Sequence, residues 1–286
     1  MNRSIQKITT GLSLALSLSL VSCEKEGLRE PTPSGNARLG VTNDVSLPSP
    51  TIPQVHRLTK YGDAILTYAS NGQLQNVTTT NQNGLVTQTD YSYGPGSIRA
   101  FTHQGRTILR DETFTLDATG RCTESVIKGK PNDVHWLYNY DAKGRIWSLQ
   151  NTSTCVGGTS FIYNEAGDLV TAAVATSVFD SNTATFIYTT PGSSAFQEDL
   201  YPLNVISVRD HDRFLRIFGK PGRHLIRKIS FTSSNGSPVL NDQYFSYGTD
   251  YDGYVQLRDQ LNSHGLIGDD GRTLYEYELS NIPFQF

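Results

Sequence analysis

Apolar and polar residues alternate in short runs on either side of recurring glycines, and residues 137–149 carry the clearest copy. There Tyr138, Tyr140 and Ile146 are interleaved with Asn139, Asp141 and Arg145, a period of two that predicts half-buried β-strands. Between them, Asp141-Ala142-Lys143-Gly144 fits a type I turn closed by a left-handed glycine at a bulge, so the stretch reads as one hairpin.

Glycine then recurs at positions 72, 96, 120, 144, 167 and 192, with steps of 24, 24, 24, 23 and 25 residues. A period of that length holds two strands, a tight turn and a return, so the chain predicts a series of hairpins. If each glycine is a bulge, the residue four before it faces the residue two after it. The resulting pairs are Tyr68 with Leu74, Leu116 with Cys122, Tyr140 with Ile146, Tyr163 with Leu169 and Tyr188 with Ser194. Four of the five join apolar or aromatic side chains, which predicts that one face of the sheet is a core. The other face, with Thr67, Gln73, Thr115, Arg121, Asn139 and Arg145, is mostly polar. Leu137, Trp147 and Leu149 break that pattern in the central hairpin.

Consecutive hairpins with short returns predict an all-β fold. We expect an antiparallel meander of repeated hairpins of about 24 residues forming a curved sheet or partly closed barrel, because a large flat sheet is unusual. The polar second face argues against a membrane-spanning barrel, which needs an outer apolar band. After Gly192 the period lapses. Phe214, Leu215, Ile217 and Phe218, ended by Gly219 and Pro221, predict one short helical insertion that caps or plugs the sheet. Strands are expected again at 225–232, 243–247, 253–257 and 273–279, the last closing or edging the sheet.

The first residues read as an address. Arg3 and Lys7 precede an apolar run over 8–21 that ends in Leu20-Val21-Ser22-Cys23, the layout of a secretory signal and too short and serine-interrupted for a stable span. The ending resembles the lipobox of bacterial lipoproteins, which implies cleavage before Cys23 and lipid on it. Glu24-Lys25-Glu26 and a stretch rich in Pro, Ser and Thr follow, which predicts a tether without a core. The expected organisation is a signal peptide over 1–22, a lipidated Cys23 with its tether over 23–54, and a single all-β repeat domain over 55–286.

Composition sharpens the class without naming a chemistry. Fifteen Tyr and 25 Gly suit strands and tight turns, and a formal charge of −3 indicates neither nucleic acid nor an acidic polymer as partner. No catalytic motif, metal-ligand spacing or cofactor fingerprint is present, so no catalytic residue, metal or cofactor is assigned. Cys122 and Cys155 fall at opposite ends of non-neighbouring strands, which favours Cys122 as a small core residue over a disulfide. Asp210-His211-Asp212 reads as a polar helix start. Asp250-Tyr251-Asp252-Gly253 and Gly268-Asp269-Asp270-Gly271 resemble calcium loops but read as turns. Two binding surfaces remain: Trp136, Tyr138, Tyr140 and Trp147 as a platform for sugar rings, and Arg209, Arg213, Arg216 and Lys220 as an anion-binding cluster. For both, core packing or a solvated face is the alternative.

Tyr138-x-Tyr140-Asp141-x-x-Gly144-Arg145-Ile146 is similar to the YD repeat of Rhs-type shell proteins. With the lipobox, the helical insertion and the Tyr275-x-Tyr277 terminal strand, the chain more closely resembles an uncharacterised family of Bacteroidota lipoproteins whose domain of unknown function is porin-like in fold. That resemblance implies an outer-membrane lipoprotein at the cell surface or periplasmic face, with no assigned activity. The expected function is a non-enzymatic, lipid-anchored binding module for a glycan or envelope ligand. The alternatives are a structural lipoprotein without ligand and a carbohydrate-active hydrolase, the last requiring Asp111, Glu112, Asp141 or Glu165 to converge.

Overall fold

A computed structural model describes residues 55–281, apart from 130, 155–156, 176–180, 191, 204–211, 235 and 262–266. It contains sixteen strands: β1 (Val55–Tyr61), β2 (Ala64–Tyr68), β3 (Leu74–Thr80), β4 (Val86–Gly94), β5 (Ser97–Gln104), β6 (Thr107–Leu116), β7 (Cys122–Ile127), β8 (Val134–Tyr140), β9 (Ile146–Asn151), β10 (Thr159–Tyr163), β11 (Leu169–Ala175), β12 (Ser181–Ile187), β13 (Lys228–Ser233), β14 (Pro238–Thr249), β15 (Val255–Leu261) and β16 (Ile267–Ser280). Each pairs antiparallel with the next, and β16 pairs with β1 through Leu58↔Tyr277 and Tyr61↔Tyr275. The meander therefore closes into a barrel in which each of the sixteen described strands has a paired neighbour on both sides.

The glycine period is the period of the hairpins at one end of this barrel. All six glycines lie at positive φ, from 67° at Gly96 to 95° at Gly167. Four of the five expected pairs form, Tyr68↔Leu74, Leu116↔Cys122, Tyr140↔Ile146 and Tyr163↔Leu169, each beside a register shift. The fifth falls outside the strands, because β12 ends at Ile187.

The Tyr-Asp-x-x-Gly-Arg pattern has a mechanical reading. Asp141 Oδ1 accepts the N–H groups of Lys143 and Arg145 at 2.9 Å, Asp141 Oδ2 accepts from the Arg145 guanidinium, and that guanidinium lies over the ring of Tyr163 on the next hairpin at 4.6 Å. Asp117, Arg121 and Tyr140 repeat the arrangement one hairpin earlier. Tyrosine hydroxyls then reach back along the inner wall: Tyr93 donates to Leu74 O, Tyr140 to Cys122 O and Tyr188 to Leu169 O, all at 2.6–2.8 Å. Each bond satisfies a buried phenol while the ring fills lumen volume.

The interior is packed. Leu58, Ile98, Phe114, Cys122, Ile146, Leu149 and Leu169 are buried in one connected cluster with Leu215, Ile217 and Phe218 from the long connection between β12 and β13. That connection crosses the lumen at the glycine-turn end. Asp212 accepts the Tyr91 hydroxyl of β4, the Ile217 carbonyl accepts Cys122 N–H at 2.7 Å, and Lys220 N–H donates to Gly144 O at 3.0 Å. Phe218 stands edge-on to Phe114 at 5.8 Å. The expected cap is thus present, but residues 212–222 are not helical. Asp212 does receive the N–H groups of Phe214 and Leu215, as a helix start would, yet Leu215 and Ile217 are buried with Arg216 exposed between them. An extended chain wins because the strand ends supply backbone partners that a helix would leave unused.

On the outer wall, residues adjacent to these buried positions pair charges across neighbouring strands: Arg57 with Glu278, Lys60 with Glu276, Arg99 with Asp111, Lys228 with Asp242 and Arg272 with Asp259. Leu149, expected on this face, points inward and is 1% exposed, because the β8–β9 register shift near Tyr140 reverses the alternation beyond it. Leu137 and Trp147 do stand outside, 36% and 49% exposed.

Candidate functional site

The four aromatics proposed as a sugar platform do not share an exposed face. Trp136 and Tyr138 are buried in the lumen, Tyr140 is half-buried against the cap, and Trp147 alone looks outward. Bulky residues at alternate positions of one strand point to the same side, and here that side is the core. The basic cluster also disperses. Arg213 faces the lumen, Arg216 is exposed over the ring of Tyr201 at 3.9 Å, and Lys220 is exposed near the Gly144 turn. Arg209, Asp210 and His211 lie outside the described residues, as do Cys23 and Cys155; Cys122 is a buried free thiol.

The carboxylates required for a hydrolase are not brought together. Asp111 pairs with Arg99 outside, Glu112 is buried inside against Arg110, Asp141 is bound in its own turn, and Glu165 is exposed in the next one. Asp250 caps its turn by accepting Asp252 and Tyr254 N–H, whereas residues 268–271 lie within β16 rather than in a turn. Among the described residues no three His, Cys, Asp or Glu side chains gather as a metal site would require.

What the fold does build is a cavity. The connection between β12 and β13, the wall from β12 to β16 and Tyr61 of β1 line a partly open cavity of about 280 Å³. Phe186, Ile229, Phe231, Phe245 and Val255 make its apolar wall, and Arg213, Arg258, Tyr61, Asp199 and Gln243 supply polar groups. The two arginines converge on one phenol: Arg213 Nη1 donates to Tyr61 Oη at 3.1 Å, and both guanidiniums lie over the Tyr61 ring, at 5.2 and 5.7 Å. Arg258 Nη2 donates to Thr273 Oγ1 at 3.1 Å, while its buried Nε has no hydrogen-bond partner. Among the described residues neither guanidinium is paired with a carboxylate.

Asp199 lines the same space. Burial pushes its carboxyl up to about 6, against the opposing effects of the Tyr201 N–H and the nearby Arg216 charge. Its strand of chain is held by a short antiparallel pairing, with Asp199 N–H donating to Arg223 O and Leu225 N–H to Gln197 O, both at 2.8 Å. Asp168, fully buried at the start of β11, anchors the far side of that pairing. It accepts the backbone N–H groups of Arg223 and His224 and the His224 imidazole at 2.7 Å. Burial alone would raise the Asp168 carboxyl, but these hydrogen bonds and the imidazole hold it below the ordinary range.

Sequence patterning did not disclose this site. Val255 and Arg258, three residues apart on β15, both line the cavity, because the register shift between Val255 and Leu257 inserts Gln256 and breaks strict alternation. Asp199 and His224 lie in the stretch where the glycine period lapses. That lapse was the one signal available for them.

The barrel has solved counterparts. A crystal structure of a porin-like protein from Bacteroides uniformis superposes with a TM-score of 0.54 at 17% identity, over 76% of this chain and 90% of that one. A porin-like protein from Bacteroides vulgatus gives 0.52 at 16% identity, over 77% of this chain and 98% of that one. No protein-family model matches the chain, and no curated protein matches it in sequence. The all-β closed barrel described above is therefore of the porin-like kind seen in these Bacteroides proteins.

Proposed function

We propose that the chain is a non-enzymatic envelope protein, held to the outer membrane by lipid on Cys23, whose barrel is a container for a small ligand and not a pore. The observation that carries this reading is the cap: residues 212–226 fill the glycine-turn end of the lumen and leave a lined cavity against β12–β16. A porin of this strand number keeps a water-filled lumen. Here the interior is apolar, and the outer wall carries cross-strand charge pairs interspersed with exposed apolar residues such as Ile65, Ile162, Leu240 and Leu274. Lipid contact disfavours that arrangement, since one Arg or Lys facing the bilayer midplane costs about 2–4 kcal/mol.

The anchor rests on the lipobox-like Leu20-Val21-Ser22-Cys23, and acyl chains give membrane contact without a spanning segment. The container reading is tested by native mass spectrometry of the Cys23→Ala protein after incubation with a small-molecule extract of the envelope. A discrete adduct of one small molecule per chain is expected. A spectrum that stays at the bare protein mass across extracts would overturn the reading.

A further inference from the structure

Resting on that reading, we propose that the cavity selects an amphipathic monocarboxylate, with the acid head between Arg213 and Arg258 and the apolar body along Phe186, Phe231 and Phe245. Three features point there independently. First, both guanidiniums lie over the Tyr61 ring at the cavity wall, and the described residues offer neither of them a carboxylate. A buried cation without a counter-ion is costly, and an entering anion relieves that cost. Second, the buried Nε of Arg258 lacks an acceptor, which leaves one donor of its planar fork for a carboxylate oxygen. Third, the remaining lining is aromatic and aliphatic, so a strongly hydrated anion such as phosphate would give up water along most of its surface for nothing in return. Asp199 opposes an anion, but it is one carboxylate against two guanidiniums, and burial already disfavours its charge. A volume of about 280 Å³ is just below the range for small-molecule pockets, about 300–1,000 Å³, so a medium-length acid fits the class better than a whole phospholipid.

The experiment is calorimetric titration of the Cys23→Ala protein with decanoate, decanol and inorganic phosphate. Decanoate is expected to bind at least about tenfold more tightly than decanol, the scale of one charge-assisted hydrogen bond, and phosphate not at all. Arg258→Met should abolish the preference for the acid while leaving decanol binding within about twofold. Arg258→Lys should retain part of the preference, and Arg213→Gln, which leaves the β15 wall intact, should weaken it independently if Arg258→Met does not fold. Equal binding of decanol and decanoate would overturn the acid selectivity and leave the container standing. Tight phosphate binding would overturn the amphipathic character. If neither decanoate nor decanol binds while the envelope extract still yields an adduct, the ligand class is wrong; if there is no adduct either, the container reading fails as well.

Discussion

Cys122 donates its backbone N–H to the carbonyl of Ile217 at 2.7 Å, so a residue at the start of β7 is bonded to a segment ninety-five positions later in the chain. The Cys122 carbonyl accepts the Tyr140 hydroxyl at 2.6 Å, which joins the cap, one hairpin and the next at a single residue. The β7–β8 pairing ends at Glu124↔Leu137, two residues short of Cys122, and the cap takes up the Cys122 N–H beyond it. This stitching is how residues 212–222, which form neither helix nor strand, close the lumen.

The cap should therefore carry stability as well as block the bore. Phe218 packs edge-on to Phe114 and at 5.3 Å from Tyr138, and it is buried. Phe218→Ala is expected to cost about 3–5 kcal/mol in urea unfolding, the range for a large core aromatic, with a single cooperative transition retained.

Two glycines with similar φ should differ sharply on substitution. Gly167, at φ 95°, has open space where a Cβ would project, whereas at Gly219, φ 81°, a Cβ would meet Gly144 O at 2.5 Å and Tyr140 Cε1 at 2.9 Å. Gly167→Ala should cost about 1–2 kcal/mol from the left-handed conformation alone. Gly219→Ala should cost roughly 1–3 kcal/mol more, from overpacking where the cap crosses the hairpin. Equal losses would refute the close approach.

Asp168 and Asp199 should respond to pH with opposite signs. The Asp168 carboxyl is held below the ordinary range, so its contribution is present above about pH 4, the unfolded value, and is lost as pH falls through the folded one. Asp168→Ala should lower Tm at pH 7 and flatten the acid limb of the stability profile. Asp199 is raised to about 6, so its ionised form weakens the fold, and stability is regained as pH falls from about 6 towards 4. Asp199→Asn, which keeps an acceptor for Tyr201 N–H, should raise stability at pH 7 by up to about 3 kcal/mol and have little effect at pH 4.

Two apolar residues on β9, separated by Ser148, report which face is the core. Leu149→Ala should cost about 2–5 kcal/mol, while Trp147→Thr on the outer wall should change stability by about 1 kcal/mol or less, both read from urea midpoints.

Much of the frame was legible because turn chemistry is local. Asp or Asn at the head of a turn and glycine at its bulge act within four residues, so the glycine spacing named both the hairpins and their inward pairs. Closure of β16 onto β1 is a long-range event, and only the Tyr275-x-Tyr277 alternation hinted at it. Leu149 was misplaced because a one-residue bulge reverses every later side chain, and period-two reading carries no mark of a bulge beyond its glycine. The expected helix at 214–218 failed for a related reason: apolar spacing is shared by a helix and by an extended segment whose partners lie in another part of the chain. The cavity was hidden because Arg258 enters it from a strand and Arg213 from the cap, and their meeting at Tyr61 is a product of the closed barrel.

The central claim is that this barrel is filled and faces water on its outside, and planar-bilayer conductance tests it most directly. The Cys23→Ala protein should remain a monodisperse monomer without detergent and should give no unitary current steps when added to either side of the bilayer. Stepwise conductance from protein that needs detergent for solubility would contradict the account and make the barrel a pore.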